Sequence, residues 1–139
     1  MRRAAALLLL LVVSCATARS TRPPSIPKPS LDVAILNEPF FGSGTEAPVT
    51  LEVSVGNRAS VPITLRRVEL SSPGMVQYEI VPVSKQFTER IAPGETKSVR
   101  LAATARTEFT RHDEPLMLRA VLELEGGGRT WREIILRRY

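Results

Sequence analysis

Apolar and polar residues alternate one for one along most of the chain beyond residue 30. Residues 49–56 read Val-Thr-Leu-Glu-Val-Ser-Val-Gly, so that every second side chain is apolar. This period of two is typical of a β-strand that is covered on one face. The same alternation runs through residues 99–105 and 116–125, and further strands are predicted at residues 32–36, 63–70, 76–81, 86–91 and 130–137.

The strand predicted at residues 63–70 contains a break in its alternation. Its apolar side chains stand at positions 63 and 65 before Arg66-Arg67, but at positions 68 and 70 after it. A slip of one residue turns every following side chain to the other face of a strand. An inserted residue restores the original face, so we expect a β-bulge or bend at Arg66-Arg67.

Glycine and proline mark the ends of the predicted strands. Pro93-Gly94 fits a type II turn, because proline presets its own φ and glycine supplies a positive φ. Residues 126–129, Gly-Gly-Gly-Arg, are expected to join the last two strands as a short hairpin. No long apolar period of 3.6 residues follows residue 31, so no substantial helix is expected. Seven or eight short strands predict an all-β fold, an antiparallel β-sandwich.

An apolar leader precedes this domain. Arg2 and Arg3 give it a positive start, and residues 4–13 are apolar. A run of about ten residues suits the core of a signal peptide and is too short to cross a bilayer as a helix. We expect residues 1–14 to be a signal peptide. An ordinary secretory signal cleaved after Ala16 or Ala18, and an uncleaved anchor, are the alternatives.

Residues 11–15, Leu-Val-Val-Ser-Cys, resemble the lipobox of bacterial lipoproteins. In that family the cysteine thiol takes a diacylglycerol, the leader is removed, and the new N-terminus is usually acylated. The resemblance implies that Cys15 is the lipidation site and that the protein is held on a membrane by its N-terminal lipid. Cys15 is the only cysteine, so the chain offers it no disulfide partner. Ala16 in the next position resembles lipoproteins that are sent to the outer membrane, facing the periplasm.

Residues 15–30 form a predicted tether between the lipid and the domain at residues 31–139. Four prolines lie between positions 23 and 29, and proline neither continues a helix nor donates to a sheet ladder. Such a segment favours an extended, solvated chain at about 3.1 Å per residue. We expect a disordered spacer here.

The charge of the chain argues against nucleic acid as a partner. The sequence carries 19 Lys and Arg against 14 Asp and Glu, and cleavage before Cys15 would remove Arg2 and Arg3. The arginines are interleaved with glutamates, as on a solvated surface, and aromatic residues make up only 5% of the chain. Nucleic-acid binding favours a face of one sign with stacking aromatics, so we expect no nucleic-acid partner.

Three segments together resemble bacterial immunoglobulin-like domains. Residues 53–57, Val-Ser-Val-Gly-Asn, form a strand that ends in asparagine; residues 63–65, Ile-Thr-Leu, open the next strand; and residues 93–95, Pro-Gly-Glu, form a turn before Val-Arg-Leu at 99–101. The pattern is similar to the late-embryogenesis-abundant type 2 group and to accessory sandwich domains of cell-surface proteins. Over residues 49–105 it implies an immunoglobulin-like sandwich without enzymatic activity.

The sequence offers little for catalysis. His112 is the only histidine and adjoins Asp113 and Glu114 on a predicted loop. A metal site usually needs three or four convergent ligands, which adjacent loop residues rarely provide, so a solvated loop is expected. Ser43 lies between glycines but lacks the strand-to-helix context of a nucleophile elbow. We expect no enzyme, catalytic residue, metal, cofactor or small-molecule substrate.

Phe40 and Phe41 are the candidate partner-binding residues. They stand between Pro39 and Gly42 in a segment that is otherwise largely polar. Either they plug the end of the sandwich, or they form an exposed apolar anchor of the kind found in protein interfaces. The whole pattern predicts a non-catalytic, lipid-anchored protein of a bacterial cell envelope that binds an unidentified envelope protein or serves as a structural module. A stress-protective protein without a specific partner and a small outer-membrane lipoprotein of a secretion machine are the alternatives.

Overall fold

The computed structural model describes residues 25–73, 78–108 and 115–139, which fold into eight β-strands and no helix. No helix in these ranges has the length and hydropathy needed to cross a membrane. The strands are β1 (Ser30–Ile35), β2 (Glu46–Gly56), β3 (Ile63–Ser71), β4 (Tyr78–Ile80), β5 (Val83–Ile91), β6 (Thr96–Thr107), β7 (Met117–Gly126) and β8 (Arg129–Arg138).

The strands form two four-stranded antiparallel sheets. The first sheet has the order β1-β2-β6-β4, and the second has the order β5-β3-β7-β8. β5 and β6 are consecutive in the chain but lie in different sheets, so the chain crosses between the sheets at the Pro93-Gly94 turn. The predicted all-β antiparallel sandwich of seven to eight strands is therefore confirmed.

The core lies between the two sheets and is made by the alternating positions. Apolar side chains at alternate positions of β2, β6 and β7, and at alternate positions on each side of the Arg66-Arg67 irregularity in β3, face inward and are almost fully removed from water. Burying such side chains is the main favourable term in folding. These inward side chains include Val49, Leu51, Val53, Val55, Leu101, Leu118, Leu122 and Leu124.

The predicted irregularity at Arg66-Arg67 is confirmed. β3 keeps a regular register with β7 up to Leu65↔Leu124 and resumes it at Arg67↔Glu123, so Arg66 is the extra residue. The apolar side chains on both sides of the bulge are buried, which explains the change of parity in the sequence. The bulge also turns both arginines to the outer face, where Arg66 binds Glu125 at 2.6 Å and Arg67 binds Glu69 at 3.0 Å.

The two predicted glycine turns are also present. In the turn between β5 and β6, Gly94 has φ 76° and the Glu95 amide donates to the Ala92 carbonyl at 3.0 Å. In the hairpin between β7 and β8, Gly127 and Gly128 have φ of 55° and 73°. Two consecutive positive φ values are those of a type I′ turn, in which glycine is favoured.

The described chain begins at one end of the sandwich, here called the tether end, which holds residues 57–62, 92–95 and 127–128. The last residues of the predicted tether lie on the sandwich there. A Cβ on Gly127 would be 3.1 Å from Ile26 Cδ1, and Lys28 Nζ lies 3.3 Å from Glu133 Oε2. The opposite end, here called the distal end, holds the loop 36–45, the start of β4 and the C-terminal Tyr139.

Candidate functional site

The loop 36–45 at the distal end joins β1 to β2 and is fixed where it leaves β1. The Asn37 side chain donates to the Pro48 carbonyl at 3.2 Å and accepts from the Thr50 amide at 2.7 Å. The Leu36 amide donates to the Thr50 carbonyl at 2.9 Å. The Asn37 side chain thus bonds to two backbone groups of β2, which holds the start of the loop against that strand.

The second half of the same loop is fixed by a turn and by the neighbouring strand. The Gly44 amide donates to the Phe41 carbonyl at 2.8 Å, which closes a turn in which Gly42 has φ 54°. The Thr107 amide donates to the Thr45 carbonyl at 2.8 Å. Hydrogen bonds at both ends of the loop therefore define the position of the residues between them.

Phe41 fills the distal end of the core. Its ring packs edge-on against Tyr78, with a centroid distance of 5.6 Å and an interplanar angle of 75°. Aromatic pairs in this geometry are stabilised beyond the area that they bury. Burial, with a smaller contribution from the charge of Glu38, raises the pKa of the Tyr78 phenol.

Phe40 points away from the protein, with 86% of its surface exposed. The structure thus separates the two phenylalanines that the sequence treats as a pair: one closes the sandwich and the other stands in solvent. Leu36 in the same loop is 44% exposed. A large apolar side chain held in water on a fixed loop is a feature of binding surfaces.

The C-terminus closes the distal end on the side of β1. The Tyr139 hydroxyl donates to the Val33 carbonyl, and Arg137 binds Asp32 at 2.8 Å. Burial and the charge of Asp32 raise the pKa of the Tyr139 phenol, and the charge of Arg137 opposes that rise. These contacts tie the last strand of the second sheet to the first strand of the first sheet.

β8 carries a second apolar patch that the sequence pattern did not reveal. Ile134 and Leu136 lie on the outer face of the second sheet and are 54% and 58% exposed. Their neighbour Ile135 has the opposite parity and packs on the core. Because three consecutive residues are apolar, the sequence pattern does not predict which of them face inward.

The remaining candidate residues contribute no chemical site to the described structure. Cys15 and the triplet His112-Asp113-Glu114 lie outside the described residues. Ser43 is exposed in the turn at the distal end. Within residues 25–73, 78–108 and 115–139, no three His, Cys, Asp or Glu side chains are grouped as metal ligands would be, and every buried side-chain nitrogen or oxygen has a hydrogen-bond partner.

This chain resembles several solved structures in its fold. No family model and no curated protein sequence matches the chain. A Northeast Structural Genomics Consortium target, SoR45, is similar over 81% of this chain and 82% of its own, with a TM-score of 0.54 and 10% identity. A protein from Archaeoglobus fulgidus has a TM-score of 0.49 and 12% identity over 79% of this chain and 92% of its own. A FixG-related protein from Vibrio parahaemolyticus has a TM-score of 0.39 and 14% identity, over 80% of this chain and 94% of its own.

Proposed function

We propose that this protein is a non-catalytic, lipid-anchored module of a bacterial cell envelope that binds a protein partner through Phe40 at its distal end. The observation that carries the proposal is the 86% exposure of Phe40 on a loop whose two ends are hydrogen-bonded. The centre of a protein interface typically contains an aromatic side chain that is buried in a pocket of the partner. Because the loop is already fixed, little conformational entropy is lost when the ring is bound.

The position of Phe40 supports the same proposal. The chain leaves the sandwich at the tether end, towards the lipidation site proposed at Cys15, whereas Phe40 lies at the other end. β2 alone has 11 residues, which extend over about 35 Å at about 3.3 Å per residue. A lipid anchor at Cys15 would therefore present Phe40 to a partner in the space beyond the membrane surface.

A photoreactive phenylalanine analogue at position 40 tests the partner. In intact membranes we expect one or two reproducible crosslinked proteins, because a specific partner covers this ring. The same analogue at Ser43, which is exposed in the same loop, is the matched control and should give much weaker products. A diffuse set of products from both positions would contradict a specific partner and would favour a general protectant.

Labelling with a radioactive fatty acid tests the anchor separately. We expect the full chain to incorporate the label and the Cys15→Ser variant to lose it, because serine offers no thiol for the diacylglycerol. Fractionation of the two forms should show the natural chain with membranes and the variant released from them. Equal labelling of both forms would exclude Cys15 as the lipidation site.

A further inference from the structure

We propose that the tether end of the sandwich docks on the surface of an anionic phospholipid bilayer. The inference rests on the proposed anchor at Cys15, and it adds a second contact between the protein and the membrane. Its evidence is the distribution of charge between the two ends of the domain and the point at which the chain leaves it.

Basic side chains collect at the tether end. Arg58 in the loop after β2 and Arg90 near the end of β5 are exposed, and among the described residues neither lies within 4.0 Å of a carboxylate. Arg129 at the start of β8 is exposed beside the hairpin.

The acidic side chains at this end are already engaged. Glu89 lies 3.7 Å from Lys97, and Glu133 lies 3.3 Å from Lys28. Glu95 accepts a hydrogen bond from the Ala92 amide at 2.8 Å. A hydrogen bond from an amide leaves the charge of Glu95 in place, so these three carboxylates face five basic side chains at the tether end. The balance is an excess of positive charge. The five are Lys28, Arg58, Arg90, Lys97 and Arg129.

The distal end has no such excess, because Glu38, Glu46, Glu79 and Glu108 there are matched in number by Arg106, Arg119, Arg137 and Arg138. Glu46 and Glu79 share a single guanidinium, that of Arg106, at 2.8 and 3.8 Å. Glu38 and Glu108 are both exposed there. An anionic surface thus attracts the tether end more strongly than the distal end, which would orient the sandwich with its distal end away from the bilayer.

The length of the tether places the basic end near the lipid. Ten residues, 15–24, separate the proposed acylated cysteine from the first described residue. Ten residues in extended polyproline geometry would span about 31 Å at about 3.1 Å per residue. Each Lys or Arg near an anionic membrane contributes about a fivefold preference for the bound state, within a screening length of about 8 Å at physiological salt. The tether therefore allows the tether end to reach that layer.

Energy transfer from Trp131 measures the docking. Trp131 is the only tryptophan, lies at the tether end in β8, and lines a cavity of about 390 Å³ beside Ile26. The full chain, purified from its own membranes, is reconstituted into vesicles that contain a dansyl-labelled phospholipid. We expect strong transfer in phosphatidylglycerol–phosphatidylethanolamine vesicles, weak transfer in phosphatidylcholine vesicles, and loss of the difference in about 1 M salt, where the screening length is about 3 Å.

Two double variants with equal changes of charge locate the surface. Arg58→Glu with Arg90→Glu should lower the ratio of docked to undocked protein at least tenfold in anionic vesicles. Arg119→Glu with Arg138→Glu, which changes exposed arginines towards the distal end, should lower it much less. Equal transfer in both kinds of vesicle, or equal loss in both variants, would overturn the proposal. If the protein had no lipid anchor, the natural chain would be released from phosphatidylcholine vesicles. Docking would still be measured in that case, as sedimentation of the chain with anionic vesicles that is lost at high salt.

Discussion

Deletion of Val121 from β7 is expected to abolish cooperative folding, whereas deletion of Arg66 from β3 is expected to leave the protein folded. β7 lies between β3 and β8, and its register with β8 is unbroken along its whole length. A one-residue slip in this strand turns either the leucines before position 121 or those after it to the outer face. Two leucines lie on each side of position 121, so the slip would forfeit about 3–6 kcal/mol of apolar burial. It would also turn Arg119 or Glu123 towards the core, and the combined cost is comparable with the whole stability of a small domain.

Arg66 differs because it is already unpaired in the register between β3 and β7. Its removal would join Leu65 directly to Arg67, opposite Leu124 and Glu123, and every apolar residue would keep its face. We expect a loss of about 1–2 kcal/mol, from the partly exposed ion pair with Glu125 and from poorer pairing with the edge strand β5.

Urea unfolding followed by circular dichroism compares the two deletions. The point substitutions Val121→Ala and Arg66→Ala, which keep the chain length, separate the effect of register from the loss of the side chain. If the two deletions unfolded with similar midpoints, the bulge would not be what sets the register of β3.

Asn57→Ala is expected to lower the free energy of unfolding by about 3 kcal/mol or more, because its buried side chain links the loop after β2 to the end of β5. The Asn57 amide group donates to the carbonyls of Val61 at 2.8 Å and Ile91 at 3.1 Å, and its oxygen accepts from the Ala59 amide at 2.8 Å. Alanine leaves these backbone groups without their partner. The unfolding free energy from urea titration should show the loss, with Arg58→Ala, an exposed neighbour, changing it by only about 0.5 kcal/mol or less.

Asn57→Asp provides a sharper check of the same bonds. An ionised carboxylate accepts from Ala59 but faces two carbonyl oxygens to which it cannot donate, so its pKa should rise in the folded state. Stability gained by the protonated form is present at low pH and is lost as pH rises through that raised pKa. The variant should therefore be relatively more stable in acid than at neutral pH. Equal destabilisation at both would show that the two donated bonds contribute little.

The candidate site was only partly predictable from the sequence. Two aromatic residues beside glycines identified the loop. The alternation of apolar and polar residues does not extend into loops, however, so it does not predict whether either ring points inward or outward. Phe41 is inward because Tyr78, 37 positions later in the chain, supplies its contact. The role of Asn37 in holding the loop depends on Pro48 and Thr50 of the next strand, and the only local sign was an asparagine after a strand.

The strands, the bulge at Arg66 and the two glycine turns could be predicted from local sequence. Each of these depends on neighbours within a few residues: the period of two, its change of parity, and the φ preferences of glycine and proline. The strand order, the opposite environments of Phe40 and Phe41, and the exposure of Ile134 and Leu136 depend on how distant segments pack together. Exposure is decided by which distant strand covers a side chain, and the pairing of distant strands is a property of the whole sandwich rather than of any segment.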